Sequence, residues 1–217
     1  MQGILNSIEG CLIRGENYNF IYDIFNSYKC ILRSKKIVKQ PYPNNSWYGA
    51  YLLNEEIFIE NIKVLLKKLL IADKDESNII AYGFKEIRYA KIPDLFDYLD
   101  FLKLVFPNVA FIFNTRRLED VVKSGWWVNH NTEKTKSILS DLEEKFRIYN
   151  SRTQNCFSID YNEVIQKSEN LLGLYDFLGA EYNSEKIDQV LKTLHGYSPT
   201  QARLKMFGRR INKSDAN

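Results

Sequence analysis

The sequence predicts an α/β fold, a parallel sheet with helices on both faces in three layers. Three observations carry this. Short apolar, β-type runs recur at 11–13, 79–84, 109–113 and 156–159. Longer segments of helical period separate them, which is the pattern of parallel strands joined by crossover helices. The 217 residues, 45% hydrophobic and 26% charged, suffice for one domain with a full core, expected over 1–197 with a basic, loose tail at 198–217.

In chain order, Ile4, Leu5 and Ile8 give a first helical face, and 11–13 a short strand. A helix is predicted over 18–38, where Phe20, Ile21, Ile24, Phe25, Tyr28, Ile31 and Leu32 recur at helical spacing. The prolines, asparagines and glycine of QPYPNNSWYG make 40–49 a loop. A second amphipathic helix is expected over 55–72 and a buried-type strand over 79–84. Asp94, after Pro93, opens a helix to Phe106. The 109–113 strand and a 118–127 helix follow. The helix at 132–149 has Glu133 in its first turn, complementing the dipole. After the 156–159 strand, 162–178 holds one or two helices closed by Gly179 as a C-cap, and 184–194 is the last helix.

Composition narrows the function. A net charge of +3 is too small to argue for nucleic acid. Three cysteines without a CxxC pair support neither a disulfide framework nor a zinc site. His130 and His195 lie far apart in sequence, against a histidine metal centre or a Ser-His-Asp triad. No apolar run approaches the roughly 20 residues of a membrane span, and the first residues do not read as a signal peptide. A cytoplasmic setting is expected, and no metal is implied.

The segment FPNVAFIFNTRRLEDVVKSGWW, 106–127, carries the most chemistry. It brings Arg116 to the junction of a strand's carboxyl end and a helix, where ligands bind in open α/β sheets. Guanidinium forms forked hydrogen bonds to phosphate oxygens. Ser124 lies eight residues on, just over two turns, and so on nearly the same face of a promptly starting helix. The plainer reading pairs Arg116 or Arg117 with Glu119 or Asp120 on a solvated surface. Lys85, in GFKEIRY, follows another strand end and is either a group neutralising charge on a leaving oxygen or an exposed strand-end lysine. Glu16, in RGENYNF, is either a general base for a hydroxyl or a charge at a helix N-terminus. Tyr161, in SIDYNEV, either reaches a phosphate with its hydroxyl or simply packs. The aromatics of 40–51 and Trp126-Trp127 read as core, rim or an apolar acceptor wall.

Taken in order, these segments resemble the sulfotransferase family that uses 3′-phosphoadenosine-5′-phosphosulfate, over residues 1–179. The 106–127 segment looks like that family's 3′-phosphate-binding element. The resemblance implies that Arg116 and Ser124 hold the 3′-phosphate of this co-substrate, with Tyr161 beside it. GFKEIRY and RGENY are similar to segments of the tyrosylprotein-type branch, which implies Lys85 as the catalytic lysine and Glu16 as the base. The implied reaction is in-line sulfuryl transfer to a hydroxyl of a glycan, lipid or small metabolite, without a metal. Positioning and electrostatics supply most of its acceleration.

One departure stands against these matches. The family's first strand and its Gly/Arg/Ser/Thr-rich phosphosulfate loop, an anion site at a helix N-terminus, have no counterpart in this sequence. MQGILNSIEG looks like the helix that follows that loop. Met1 is then an internal methionine of a longer protein, or the chain is truncated and binds only the 3′-phosphate half as a non-catalytic module. Either way the 217-residue form made alone is expected to be poorly soluble or inactive. A kinase relative is disfavoured, because no Gly-Lys-Ser/Thr loop is present.

Overall fold

The computed structural model describes residues 1–37, 42–123 and 125–193. It is an α/β chain in which helix predominates and the strands form two parallel two-stranded sheets. One pairs β1, Cys11–Arg14, with β2, Ala81–Phe84; the other pairs β3, Phe111–Thr115, with β4, Cys156–Asp160. The chain divides into two compact units, Met1–Phe113 with Phe146–Ser158 and Asn114–Lys145 with Ile159–Asn217.

In the first unit, Cys11 stands opposite Ala81 and Arg14 opposite Phe84. Ala81 N donates to Gly10 O and Lys85 N to Arg14 O, at 3.1 and 2.9 Å. The odd-numbered β2 residues therefore face β1, and the backbone groups of Tyr82 and Phe84 face away. The far side of β1 is closed by α1, Gln2–Leu5, and the turn after it. Asn6 Oδ1 accepts from Ile13 N at 2.6 Å, while Asn6 Nδ2 and Gln2 Nε2 both donate to Ile13 O. Two side chains thus stand in for a neighbouring strand on that edge.

Three helices build the core, α2, Phe20–Ile37, α3, Glu55–Ile71, and α4, Leu95–Val105; α3 packs on β2, and α2 and α4 pack on α3 and on each other. Their apolar faces meet in an aromatic cluster in which Phe25 lies 5.3 Å from Phe101 and 5.8 Å from Tyr98. Tyr98, Phe101, Ile21 and Leu66 are all buried there. Each large apolar side chain so buried contributes about 1.5–3 kcal/mol. Asn54 caps α3 by accepting from the Glu56 and Ile57 amides. At the other end, Arg14 Nε donates to Leu70 O and Nη2 to Ile71 O, both at 2.7 Å, satisfying carbonyls that the helix leaves open.

The second unit holds α5, Leu118–Val121, most of α6, Thr132–Asn150, then α7, Tyr161–Ile165, α8, Glu169–Leu178, and α9, Ser184–Lys192. Ile159, Val164, Leu171, Leu174, Tyr175 and Ile187 are among its buried apolar residues. Asp160 and Glu163 form a capping box on α7, and Gly179 closes α8 in the left-handed region at φ 61°.

Most elements fall where the periodicity puts them. Three differ. The strand expected as buried over 79–84 begins at Ala81 and is only half-buried, with Ile80 exposed before it. The third strand runs two residues later than its apolar run, because Phe111 N is the first amide to find the neighbouring strand, at Asn155 O. Val109 and Ala110 remain outside the ladder. The helix expected over 118–127 stops at Val121 and is followed by a 3-10 turn, Gly125–Asn129. Val121-Val122 and Gly125 are weak helix formers, and nothing in so short a segment offsets them. The last helix ends at Lys192 with Thr193 as its C-cap, and the basic tail, Leu194 and part of the 40–49 loop lie outside the described residues.

Candidate functional site

The two strand ends of the first unit bring Glu16 and Lys85 into direct contact. Lys85 Nζ donates to Glu16 Oε1 at 2.8 Å. Arg88 Nη1 donates to Glu16 Oε2 at 3.1 Å and to Glu86 Oε1 at 2.8 Å, so it bridges the two carboxylates. Glu16 and Lys85 are partly exposed, at 33% and 42% of the side chain, whereas Glu86 is 1% exposed. The helix-dipole reading of Glu16 does not apply, because α2 begins four residues later and the carboxylate faces two cations.

The segment that carries Glu16 is an unusual turn. Tyr18 and Asn19 both sit in the left-handed region, at φ 59° and 61°. Such a residue costs of order 1–3 kcal/mol and persists only where its surroundings hold it. Asn17 Oδ1 accepts from Asn19 N at 3.0 Å in an Asx turn. Glu86 Oε2 accepts from Asn17 N at 3.3 Å and from Asn19 N at 3.1 Å. Its other oxygen accepts from the Ile87 and Arg88 amides, at 2.8 and 3.1 Å. Burial by itself pushes the Glu86 carboxyl up, but these amides and the Arg88 guanidinium outweigh it and hold it below the usual carboxylate range. Tyr18 itself is 82% exposed, and Arg88 lies 4.9 Å from its ring centre.

The second unit holds the other predicted pair. Arg116 directly follows β3 and Tyr161 directly follows β4, so both stand at carboxyl ends of paired strands. The guanidinium lies 4.7 Å from the Tyr161 ring centre. Arg116 Nε is buried and has no hydrogen-bond partner among the described residues. Nearby, Asn114 Nδ2 donates to Ile159 O at 3.1 Å, tying the two strand ends together. Of the acidic partners in the plainer reading, Glu119 pairs with Lys136 at 3.6 Å and also feels the charge of Arg117. Ser124 lies outside the described residues, and α5, the helix expected to reach it, ends at Val121.

The structure thus places Glu16 beside Lys85 and Arg116 beside Tyr161, and it adds Glu86 and Arg88, to which sequence reading assigned no role. A signal was present. Lys85 and Glu86 are neighbours at a strand end, so when one points to solvent the other points inward, and an inward carboxylate requires donors. Among the described residues no group of three or more His, Cys, Asp and Glu is arranged to hold a metal ion, and no helix is long and apolar enough to cross a membrane. No protein-family model matches the chain, and no curated protein matches it.

Proposed function

We propose that the chain is a sulfotransferase that moves a sulfuryl group from 3′-phosphoadenosine-5′-phosphosulfate to an acceptor hydroxyl. The finer architecture belongs to the same reading: a three-layer parallel arrangement of the P-loop-like sulfotransferase kind. The observation that carries it is Arg116, stacked on Tyr161 with a buried Nε donor that no described residue engages. A buried donor without an acceptor costs about 1–3 kcal/mol, so its retention at a strand's carboxyl end favours a site that an anion completes. Phosphate fits the fork of a guanidinium.

On this reading Arg116, Ser124 and Tyr161 hold the 3′-phosphate. Glu16 takes the proton of the acceptor hydroxyl, for which one of its contacts to Lys85 or Arg88 exchanges for the hydroxyl. The hydroxyl oxygen forms a bond to sulfur as the bond from sulfur to the donor's phosphate oxygen breaks. Lys85 neutralises the charge left on that leaving oxygen.

A second reading has its own observation. Both oxygens of Glu16 are already engaged by cations, which suits a fixed ionic latch in a nucleotide-binding module without transfer. Calorimetry with 3′-phosphoadenosine-5′-phosphate, beside transfer of labelled sulfate to a panel of hydroxyl compounds, separates the two. Binding with transfer supports the enzyme. Binding without transfer supports the module. Absence of nucleotide binding removes both.

A further inference from the structure

We propose that Glu86 is the positioning residue of this site: a buried carboxylate that fixes the Glu16 turn through its amides and aims the Glu16 side chain through Arg88. For its kinetic arm the inference rests on the transfer reading above.

The geometry leaves Glu86 no other role in that chemistry. Its side chain is 1% exposed, so it cannot touch an acceptor. Five donors converge on it, and they come from two segments about seventy positions apart. Four are backbone amides. Those of Asn17 and Asn19 belong to the turn whose two left-handed residues need external support. Those of Ile87 and Arg88 belong to the segment after β2 that also carries Lys85. One carboxylate therefore ties the chain bearing the candidate base to the chain bearing the candidate lysine. The fifth donor, Arg88 Nη1, also reaches Glu16 Oε2. A guanidinium held by a buried carboxylate has little rotational freedom, and so restricts the carboxylate it touches next. An exposed ion pair such as Glu16–Lys85 is otherwise loosely held. Supporting hydrogen bonds of this kind keep reacting groups in a narrow range of positions.

Glu86→Gln keeps the shape and replaces one acceptor oxygen by a donor, which the amides cannot use. Two readouts follow. By amide exchange in NMR, the Asn17 and Asn19 amides lose protection while those of Leu12 and Arg14 in β1 keep theirs. In turnover, followed as release of 3′-phosphoadenosine-5′-phosphate with 4-nitrophenol as acceptor, Glu86→Gln lowers the rate by ~10–100-fold, the scale of a misplaced reacting group. Calorimetric affinity for the nucleotide product stays as in the parent. The loss disappears when Glu86→Gln is made in a Glu16→Gln background, because there is no base left to aim.

Losses that multiply in the double variant, or exchange that does not change, overturn the proposal. A parent chain that binds nucleotide but turns nothing over removes the transfer reading alone, and the exchange arm then decides whether Glu86 holds the turn. Should Glu86→Gln fail to fold, Arg88→Gln replaces it. That variant breaks the bridge and leaves the four amides bound, so Asn17 and Asn19 stay protected while turnover falls and the fall is again masked by Glu16→Gln. An Arg88→Gln variant with parental turnover overturns the aiming role.

Discussion

The Arg116 guanidinium lies 4.7 Å from the ring centre of Tyr161, and the two residues directly follow paired strands of one parallel sheet. The ring holds the guanidinium in place, and its buried Nε has no hydrogen-bond partner among the described residues. Stacking of this kind contributes about 0.5–2 kcal/mol, depending on desolvation. It is a way to hold a cation in place without neutralising it.

Arg116→Ala is accordingly expected to weaken binding of 3′-phosphoadenosine-5′-phosphate by tenfold or more, since a hydrogen bond to a charged group is worth about 1.5–3 kcal/mol. Tyr161→Phe keeps the ring and should lose much less than Tyr161→Ala. Isothermal calorimetry on the three variants checks this. Parental affinity in Arg116→Ala would remove Arg116 from the site, and equal losses in the two Tyr161 variants would make the hydroxyl, not the ring, the working part.

Glu16→Gln and Lys85→Met should lower turnover by about 10²–10⁴-fold, the range of general acid–base catalysis. Their thermal stability should barely move, because partly exposed ion pairs contribute about 0–1 kcal/mol. The contrast is the test. Melting temperatures that fall together with activity would mean that the pair is a structural latch.

What the sequence made legible divides along physical lines. Ile21 and Phe25 could be placed on the apolar face of their helix, because helical period is a local property and burial follows from it. That Glu16 and Lys85 each follow a short apolar run was legible, but their direct contact was not, since it depends on the pairing of β1 with β2. Nor was the start of β3, since it depends on where Asn155 stands on another segment. The break after Val121 was written in weak helix formers, but local propensity is a small signal beside an apolar pattern. Glu86 was the hardest to see. Its five donors come from segments far apart in sequence, and nothing local distinguishes it from a solvated glutamate.

Acid should weaken the first unit. Glu86 and Asp94 both have carboxyls held below their ordinary range. Burial raises both; amides and Arg88 overcome it at Glu86, and Lys29 and Tyr22 overcome it at Asp94. A folded-state pKa below the unfolded one gives stability that is complete above the unfolded value and is lost as pH falls through the folded one. Melting temperatures should therefore hold near neutrality and drop below about pH 4–5, where free carboxylates begin to take up protons. Glu86→Gln should melt lower at neutral pH and show a shallower acid slope. An unchanged slope would mean that Glu86 is not charged in the folded state.

Glu143 has the opposite sign. Burial, and then the nearby Asp160, push its carboxyl above the ordinary range. Such a group opposes folding while it is ionised, and its penalty fades as pH falls. Glu143→Gln is expected to raise the melting temperature at neutral pH, with the gain shrinking toward acid. A variant that melts lower at neutral pH would show that the carboxylate has a favourable partner.

Gly10 is the position where backbone conformation matters most to the β1–β2 sheet. Its φ is +70°, and its carbonyl accepts from both Ile80 N and Ala81 N, at 2.8 and 3.1 Å, at the mouth of the ladder. A Cβ there would meet Ile80 Cγ1 at 2.6 Å and Ile80 Cβ at 3.0 Å. Gly10→Ala therefore adds the left-handed cost of about 1–2 kcal/mol to a clash with a branched side chain. A total of about 2–3 kcal/mol is expected in urea melts, with the slope unchanged. The two parts can be separated. Ile80 is 84% exposed, so Ile80→Ala costs little by itself; it removes the closest contacts, to Cγ1 and Cδ1, and keeps the Cβ contact at 3.0 Å. Gly10→Ala in that background should recover part of the loss and keep the conformational part. Asparagine tolerates the left-handed region better than alanine, so Gly10→Asn with Ile80→Ala should recover more. If Gly10→Ala melts like the parent, the turn before β1 has another conformation of equal energy, and Gly10 does not set the register of the strands that deliver Glu16 and Lys85.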